Sequence, residues 1–174
     1  TGLATGDAGY ALDCAVIATG LDAMTGALER IDICGKGGVR LRDKWASGPT
    51  TYLGLTTVGF PNLFTITGPG SPSVLANMVT GVEHHAEWIS ECIRYVRSGG
   101  FKKIEPTVEA ENAWVRHENE EAGETLNPSC NSWYMGANIP GKPRVFLPYI
   151  CGFPTYLKKC EDIVAKGYEG FTLN

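Results

Sequence analysis

A mixed α/β fold is predicted for this chain of 174 residues by three features of its sequence. Apolar runs at residues 10–17 and 63–67 have strand character, a glycine- and proline-rich turn follows the second run, and a long helical pattern follows the turn. The composition, 43% hydrophobic and 20% charged, suits one globular unit and excludes a disordered tail, a collagen-like repeat or a coiled coil. With 15 Lys and Arg against 19 Asp and Glu there is no basic excess to meet phosphates, so nucleic acid is not an expected partner. No apolar run approaches the roughly 20 residues of a spanning helix, so no membrane is expected either. Nothing near Thr1 reads as an export signal, which makes the cytoplasm the expected location. On that basis Cys14, Cys34, Cys92, Cys130, Cys151 and Cys160 are expected to be reduced and mostly packed.

In chain order, Tyr10, Leu12, Cys14, Val16 and Ile17 predict an opening strand that stops at the small residues Ala18-Thr19-Gly20. Between Ile31 and Leu53 the glycines and Pro49 predict a loop-rich antiparallel excursion rather than any helix. Leu63-Phe64-Thr65-Ile66-Thr67 reads as a buried strand. The helix after it carries Leu75, Met78, Val79, Val82, Ala86, Ile89, Ile93 and Val96 on one expected face, starts between Ser71 and Ser73, and stops at Gly99-Gly100. A second helix is predicted from Pro106-Thr107, with Glu109 and Glu111 in its first turn, and a third from a Thr155 cap to Gly167. The stretch 131–148 has no periodicity, and such long loops are usually functional or mobile.

Gly68 and Gly70, at the mouth of the long helix, offer backbone that a ligand edge could approach, beside the unpaired N–H groups of a helix start. The spacing is not G-x-G-x-x-G, since Ser73 stands at the third glycine, and a plain strand-to-helix connection is an equal reading. His84 and His85 point about 100° apart on a helix and read as a surface or packed pair; His117 reads as an isolated surface residue. Glu118, Glu120, Glu121 and Glu124 read as a solvated face, and no zinc set is evident. Trp133 and Tyr134, in a flexible aperiodic loop, are candidates for stacking on a base or sugar.

These same residues resemble the C-terminal part of type I Baeyer–Villiger monooxygenases, which use FAD and NADPH to insert oxygen beside a ketone carbonyl. The matching blocks are Ala18-Thr19-Gly20 with Asp22 to Gly26; Gly59 to Phe64 running into Gly68-Pro69-Gly70-Ser71-Pro72-Ser73; Asn131-Ser132-Trp133-Tyr134 with Gly136-Ala137-Asn138; Pro140 to Phe146; and Lys166 to Phe171. The resemblance implies an incomplete C-terminal piece of a flavoprotein with two dinucleotide-binding domains. Residues 1–100 would finish the FAD domain, and residues 101–174 would form a peripheral helical cap with an NADP-contacting loop. Ala18, Thr19 and Gly20 would lie near the dinucleotides; Gly68, Pro69, Gly70, Asn77 and Met78 would lie against the flavin. Ser73, Val74 and Leu75 would shape the ketone pocket, and Trp133 would fold over NADP.

FAD and NADP are thus the implied cofactors, and a ketone and O2 the implied substrates, reacting through a flavin peroxide to an ester or lactone. No catalytic residue is implied in this chain. Both dinucleotide fingerprints and the family's F-x-G-x-x-x-H-x-x-x-W signature are missing from it, and Leu21 replaces a frequent aromatic. A fragment, inactive and poorly soluble alone, is therefore expected, with the N-terminal part of the same enzyme as its partner. An N- or S-oxidising flavin monooxygenase and a non-enzymatic scaffold are the alternatives.

Overall fold

The computed structural model describes residues 2–17 and 20–174. Three helices carry the architecture: α3 (Met78–Ser98), α4 (Val108–Gly123) and α5 (Phe153–Ala165), preceded by the short α1 (Gly26–Arg30) and α2 (Leu41–Lys44). The strands form two antiparallel pairs. β1 (Gly2–Ala4) pairs β2 (Gly9–Ala11) with Leu3 opposite Tyr10, and β3 (Ile104–Pro106) pairs β4 (Phe171–Leu173) with Glu105 opposite Thr172.

The main core draws on both sides of residue 100. Tyr52, Leu53, Leu55, Trp88, Cys92 and Val96 pack with Ile104, Trp114, Tyr149, Tyr156, Cys160, Ile163 and Tyr168. Its aromatic rings meet edge-on or stacked; Trp114 lies over Tyr149 at 5.1 Å and 12°. Its buried histidine and Tyr156 are hydrogen-bonded, whereas the Trp88 indole N–H is buried without a partner. The Tyr156 hydroxyl donates to the Leu53 carbonyl (2.7 Å) and contacts His85 Nε2 (2.9 Å), while His85 Nδ1 accepts the Thr67 N–H (2.9 Å). With the hydroxyl proton committed to Leu53, His85 is the neutral tautomer protonated on Nε2. Burial pushes its pKa down to about 4.

Several sequence expectations are corrected. The opening strand ends at Ala11, because β1 offers only three residues to pair; Leu12, Val16 and Ile17 continue exposed. Residues 63–67 form no strand. Asn62 and Thr67 take positive φ (61° and 50°) at its two ends, and the Thr67 N–H goes to His85 instead of a neighbouring strand. The stretch 31–53 includes the one-turn helix α2, with the isolated bridges Cys34–Arg40 and Tyr52–Thr56 in place of a ladder.

Helix α3 begins at an Asn77 cap, whose side chain accepts from the Val79 and Thr80 N–H groups, and not at Ser71–Ser73, which enter a 3-10 turn. Its buried face is Gly81, His85, Trp88, Cys92 and Val96. The expected Met78, Val79, Val82 and Ile93 face solvent, so the helix is apolar on two sides and this chain covers one. The Thr107 cap of α4 is present, accepting from Ala110 N–H. Helix α5 starts one turn earlier than expected, capped at Gly152, which leaves Thr155 inside it. Of the cysteines, Cys92 and Cys160 are buried, Cys151 is half-buried, and Cys14, Cys34 and Cys130 are exposed, so packing holds for fewer than expected.

Candidate functional site

The glycine turn and the aromatic loop meet through backbone hydrogen bonds, and the 20–25 segment joins them through side chains of the loop. The Gly70 N–H donates to the Leu147 carbonyl and the Tyr149 N–H to the Ser71 carbonyl, both at 2.8 Å. The Leu147 N–H in turn donates to Tyr134 O (2.9 Å), next to Trp133. The loop is thus zipped along the turn, and Met135 and Leu147 fill the space beneath it. Trp133 starts a 3-10 turn capped by the Ser132 hydroxyl and closed by left-handed Gly136 (φ 69°). Trp133 stays 37% exposed, with the Tyr134 ring as its aromatic neighbour at 4.4 Å between centroids.

On the other side, the Asn138 side-chain N–H donates to Leu21 O (2.9 Å) and lies against Gly20. Lys142 is the main tie. Its ammonium pairs with Asp22 and donates to the Thr25 hydroxyl (2.7 Å), with its side chain 9% exposed. The Ser73 hydroxyl reaches the Met24 sulfur at 3.5 Å. Asp22, Thr25, Asn138 and Lys142 stand in the matching blocks, outside the site residues that the sequence points to. Their signal is a half-buried charge pair that unites two blocks 120 residues apart, which no local pattern contains.

The predicted residues fall into two groups. Gly68, Pro69, Gly70 and Ser73 are buried within the chain. The missing side chains of the two glycines admit protein rather than a ligand. A Cβ at Gly68 would lie 2.6 Å from the Gly54 carbonyl, and one at Gly70 2.5 Å from Glu118 Oε1 and 2.7 Å from Thr51 Oγ1. Val74 is half-buried, while Leu75, Asn77 and Met78 are open, continuing with Ile66 and Val79 into an exposed apolar strip at the helix start. Ala18 and Thr19 lie outside the described residues, and Gly20 (φ 98°) is exposed. A cleft of about 260 Å³, lined by Asp22, Arg42, Trp45, Pro140, Lys142 and Val145, adjoins the Lys142 tie; neither residues 68–78 nor Trp133 border it.

Glu118, expected on a solvated face, has an inward-turned carboxyl. Its Oε1 is buried without a partner below Gly70, and burial raises its pKa to about 8, opposed in part by the Trp114 indole N–H. Glu111, expected only as a first-turn charge, accepts the Val58 N–H and pairs with Lys44, both at 2.7 Å. Glu105 similarly holds the Gly59 N–H (2.8 Å) and Lys36. These two carboxylates fix Val58 and Gly59, at the head of the stretch that leads into the turn. His117 is not isolated: it contacts Tyr149 and Glu121.

The overall fold is shared with monooxygenases of known structure. No family model matches the chain. It is 46% identical over 166 residues, 95% of its length, to an acetone monooxygenase (methyl acetate-forming) of Gordonia sp. (strain TY-5). It is 38% identical over 165 residues to a phenazine N-monooxygenase of Lysobacter antibioticus. Among solved structures, the cyclohexanone monooxygenase from Rhodococcus sp. Phi1 bound to NADP+ superposes with a TM-score of 0.93 at 40% identity over 99% of the chain. OTEMO in complex with FAD and NADP gives 0.86 at 44% identity over 97%. The chain spans about a third of these proteins: 31% of the acetone monooxygenase and 32% of the cyclohexanone monooxygenase. It is homologous, over nearly its whole length, to part of the type I Baeyer–Villiger monooxygenases, and its α/β fold matches theirs.

Proposed function

We propose that this chain is the C-terminal third of an NADPH- and O2-dependent FAD monooxygenase that converts ketones to esters or lactones. The carrying observation is the hydrogen-bonded union of the glycine turn, the Trp133 loop and the 20–25 segment, in a chain 46% identical to an acetone monooxygenase. Bound flavin would supply the redox and oxygen-activating chemistry. The apolar strip of Ile66, Leu75, Met78 and Val79 around an open helix start fits the face of a flat aromatic ring, and the helix N-terminus favours negative charge at its edge. Ser73, Val74 and Leu75 would border the ketone, and Trp133 would close over NADP.

The two stretches divided at residue 100 are read as flavin-facing and NADP-facing parts of one core. The uncovered side of α3 and the exposed Leu12, Val16, Ile17 and Leu21 are assigned to contacts with the preceding part of the enzyme. The reaction is assigned to the cytoplasm; no helix among the described residues is long and apolar enough to cross a membrane. The chain by itself would lack tight flavin and activity. A second reading, oxidation of a ring nitrogen, is favoured by the phenazine N-monooxygenase relative.

Protein expressed from the complete coding sequence tests both, supplied with NADPH, oxygen and a ketone, a thioether or an N-heteroarene. Ester or lactone formation with flavin bound supports the proposal. N-oxide formation without ester selects the second reading, and a flavin-free protein with no NADPH-dependent oxygen uptake refutes both.

A further inference from the structure

Where α4 meets the segment entering α5, His117, Glu121 and Cys151 bring an imidazole nitrogen, a carboxylate oxygen and a sulfur within 4.8 Å of one another. His117 and Glu121 share a helix face by their i, i+4 spacing, and Cys151 comes from 30 residues further on, just before the α5 cap Gly152. His117 Nδ1 lies 3.7 Å from Glu121 Oε1. Two donors on a tetrahedral ion, each at about 2.0–2.3 Å from it, stand roughly 3.3–3.8 Å apart. That pair is already at coordinating distance, and a shift of about 1 Å brings in the sulfur.

The second nitrogen of the imidazole is held as a metal-binding histidine's would be. His117 Nε2 contacts the Tyr149 hydroxyl at 3.2 Å, and Tyr149 is itself fixed by its stack on Trp114. Donation from Nε2–H to that hydroxyl leaves the Nδ1 lone pair facing Glu121, and such an outer contact sets tautomer and ring orientation in metal sites. We propose that His117, Glu121 and Cys151 bind a divalent transition-metal ion, of which zinc is the type.

A mixed N, O and S set suits Zn²⁺ or Co²⁺ and disfavours Mg²⁺ and Ca²⁺. On binding, the Cys151 thiol gives its proton to solvent, so thiolate and carboxylate together balance the dication. Lys159, whose charge acts on both His117 and Cys151, opposes the ion and swings aside on its flexible stem. Three protein ligands leave a fourth position for water or an anionic ligand. The proposal does not depend on the monooxygenase reading.

The experiment titrates Co²⁺ into chelator-treated protein expressed from the complete coding sequence. One equivalent is expected to produce a thiolate-to-cobalt charge-transfer band together with intense d–d bands of four-coordination. Cys151→Ser abolishes the charge-transfer band, and Cys130→Ser, at an exposed thiol away from the cluster, leaves it. Glu121→Gln, on a half-exposed side chain, weakens binding about 10-fold or more, and Tyr149→Phe weakens it by about 10–100-fold. No charge-transfer band at one equivalent, or a band that persists in Cys151→Ser, overturns the proposal.

Discussion

Replacing Glu118 by Gln is expected to stabilise the protein more at each step up in pH. The carboxyl is held below Gly70 with Oε1 buried and unpartnered, and its pKa stands at about 8 against an ordinary 4.5. A carboxyl whose folded pKa is raised stabilises the fold fully below about pH 4.5 and loses that contribution as pH rises through 8. At pH 7 the loss spans about 2.5 units, or about 3 kcal/mol at roughly 1.36 kcal/mol per unit. Gln keeps the shape and cannot ionise. The difference in unfolding free energy between Glu118→Gln and the parent, from urea titrations, should therefore rise by about 3 kcal/mol from pH 4.5 to pH 7. Groups common to both proteins cancel in that difference. A difference flat with pH would refute the reasoning and mean that water or a cation reaches the carboxyl in solution.

His85 predicts the opposite slope. Its folded pKa of about 4 lies below the ordinary 6.5, so its contribution is complete above pH 6.5 and is lost towards pH 4, about 3 kcal/mol in all; urea midpoints of Glu118→Gln below pH 6.5 should fall accordingly. Asn77→Ala removes two hydrogen bonds from the start of α3 and should cost about 1 kcal/mol, read as a lower melting temperature. Lys142→Met leaves Asp22 and Thr25 without their partner. It should cost about 1–3 kcal/mol and speed proteolytic cleavage within 131–148; unchanged cleavage would mean that the loop is held from elsewhere.

What could be read from the sequence was local chemistry. Thr107 declares a helix start because its hydroxyl can reach a free N–H three residues on, and Gly99-Gly100 and Gly167 declare stops because the backbone turns left-handed at Gly100 and Gly167. The residue blocks were enough to show which enzymes the chain resembles. Tertiary structure decided what depended on distant partners. Residues 63–67 had a strand's composition but not a strand's neighbour, since the Thr67 N–H is claimed by His85 from α3. The apolar count along α3 ranked Val79 and Val82 above His85, yet His85 is the buried one because Tyr156 and Thr67 satisfy both its nitrogens. Glu111 and Glu118 looked alike as helix acids. Glu111 is buried with a lysine and a backbone N–H, while Glu118 turns in an Oε1 that has no partner, and that difference is set by α2 and the glycine turn. Sequence by itself determined where α3 ends and where α4 begins, because capping is satisfied within one turn of chain, while the start of α3 and the short α1 and α2 escaped it. Which side of a helix is covered, and which charge is paired, only the fold decided, because those energies belong to contacts tens of residues apart.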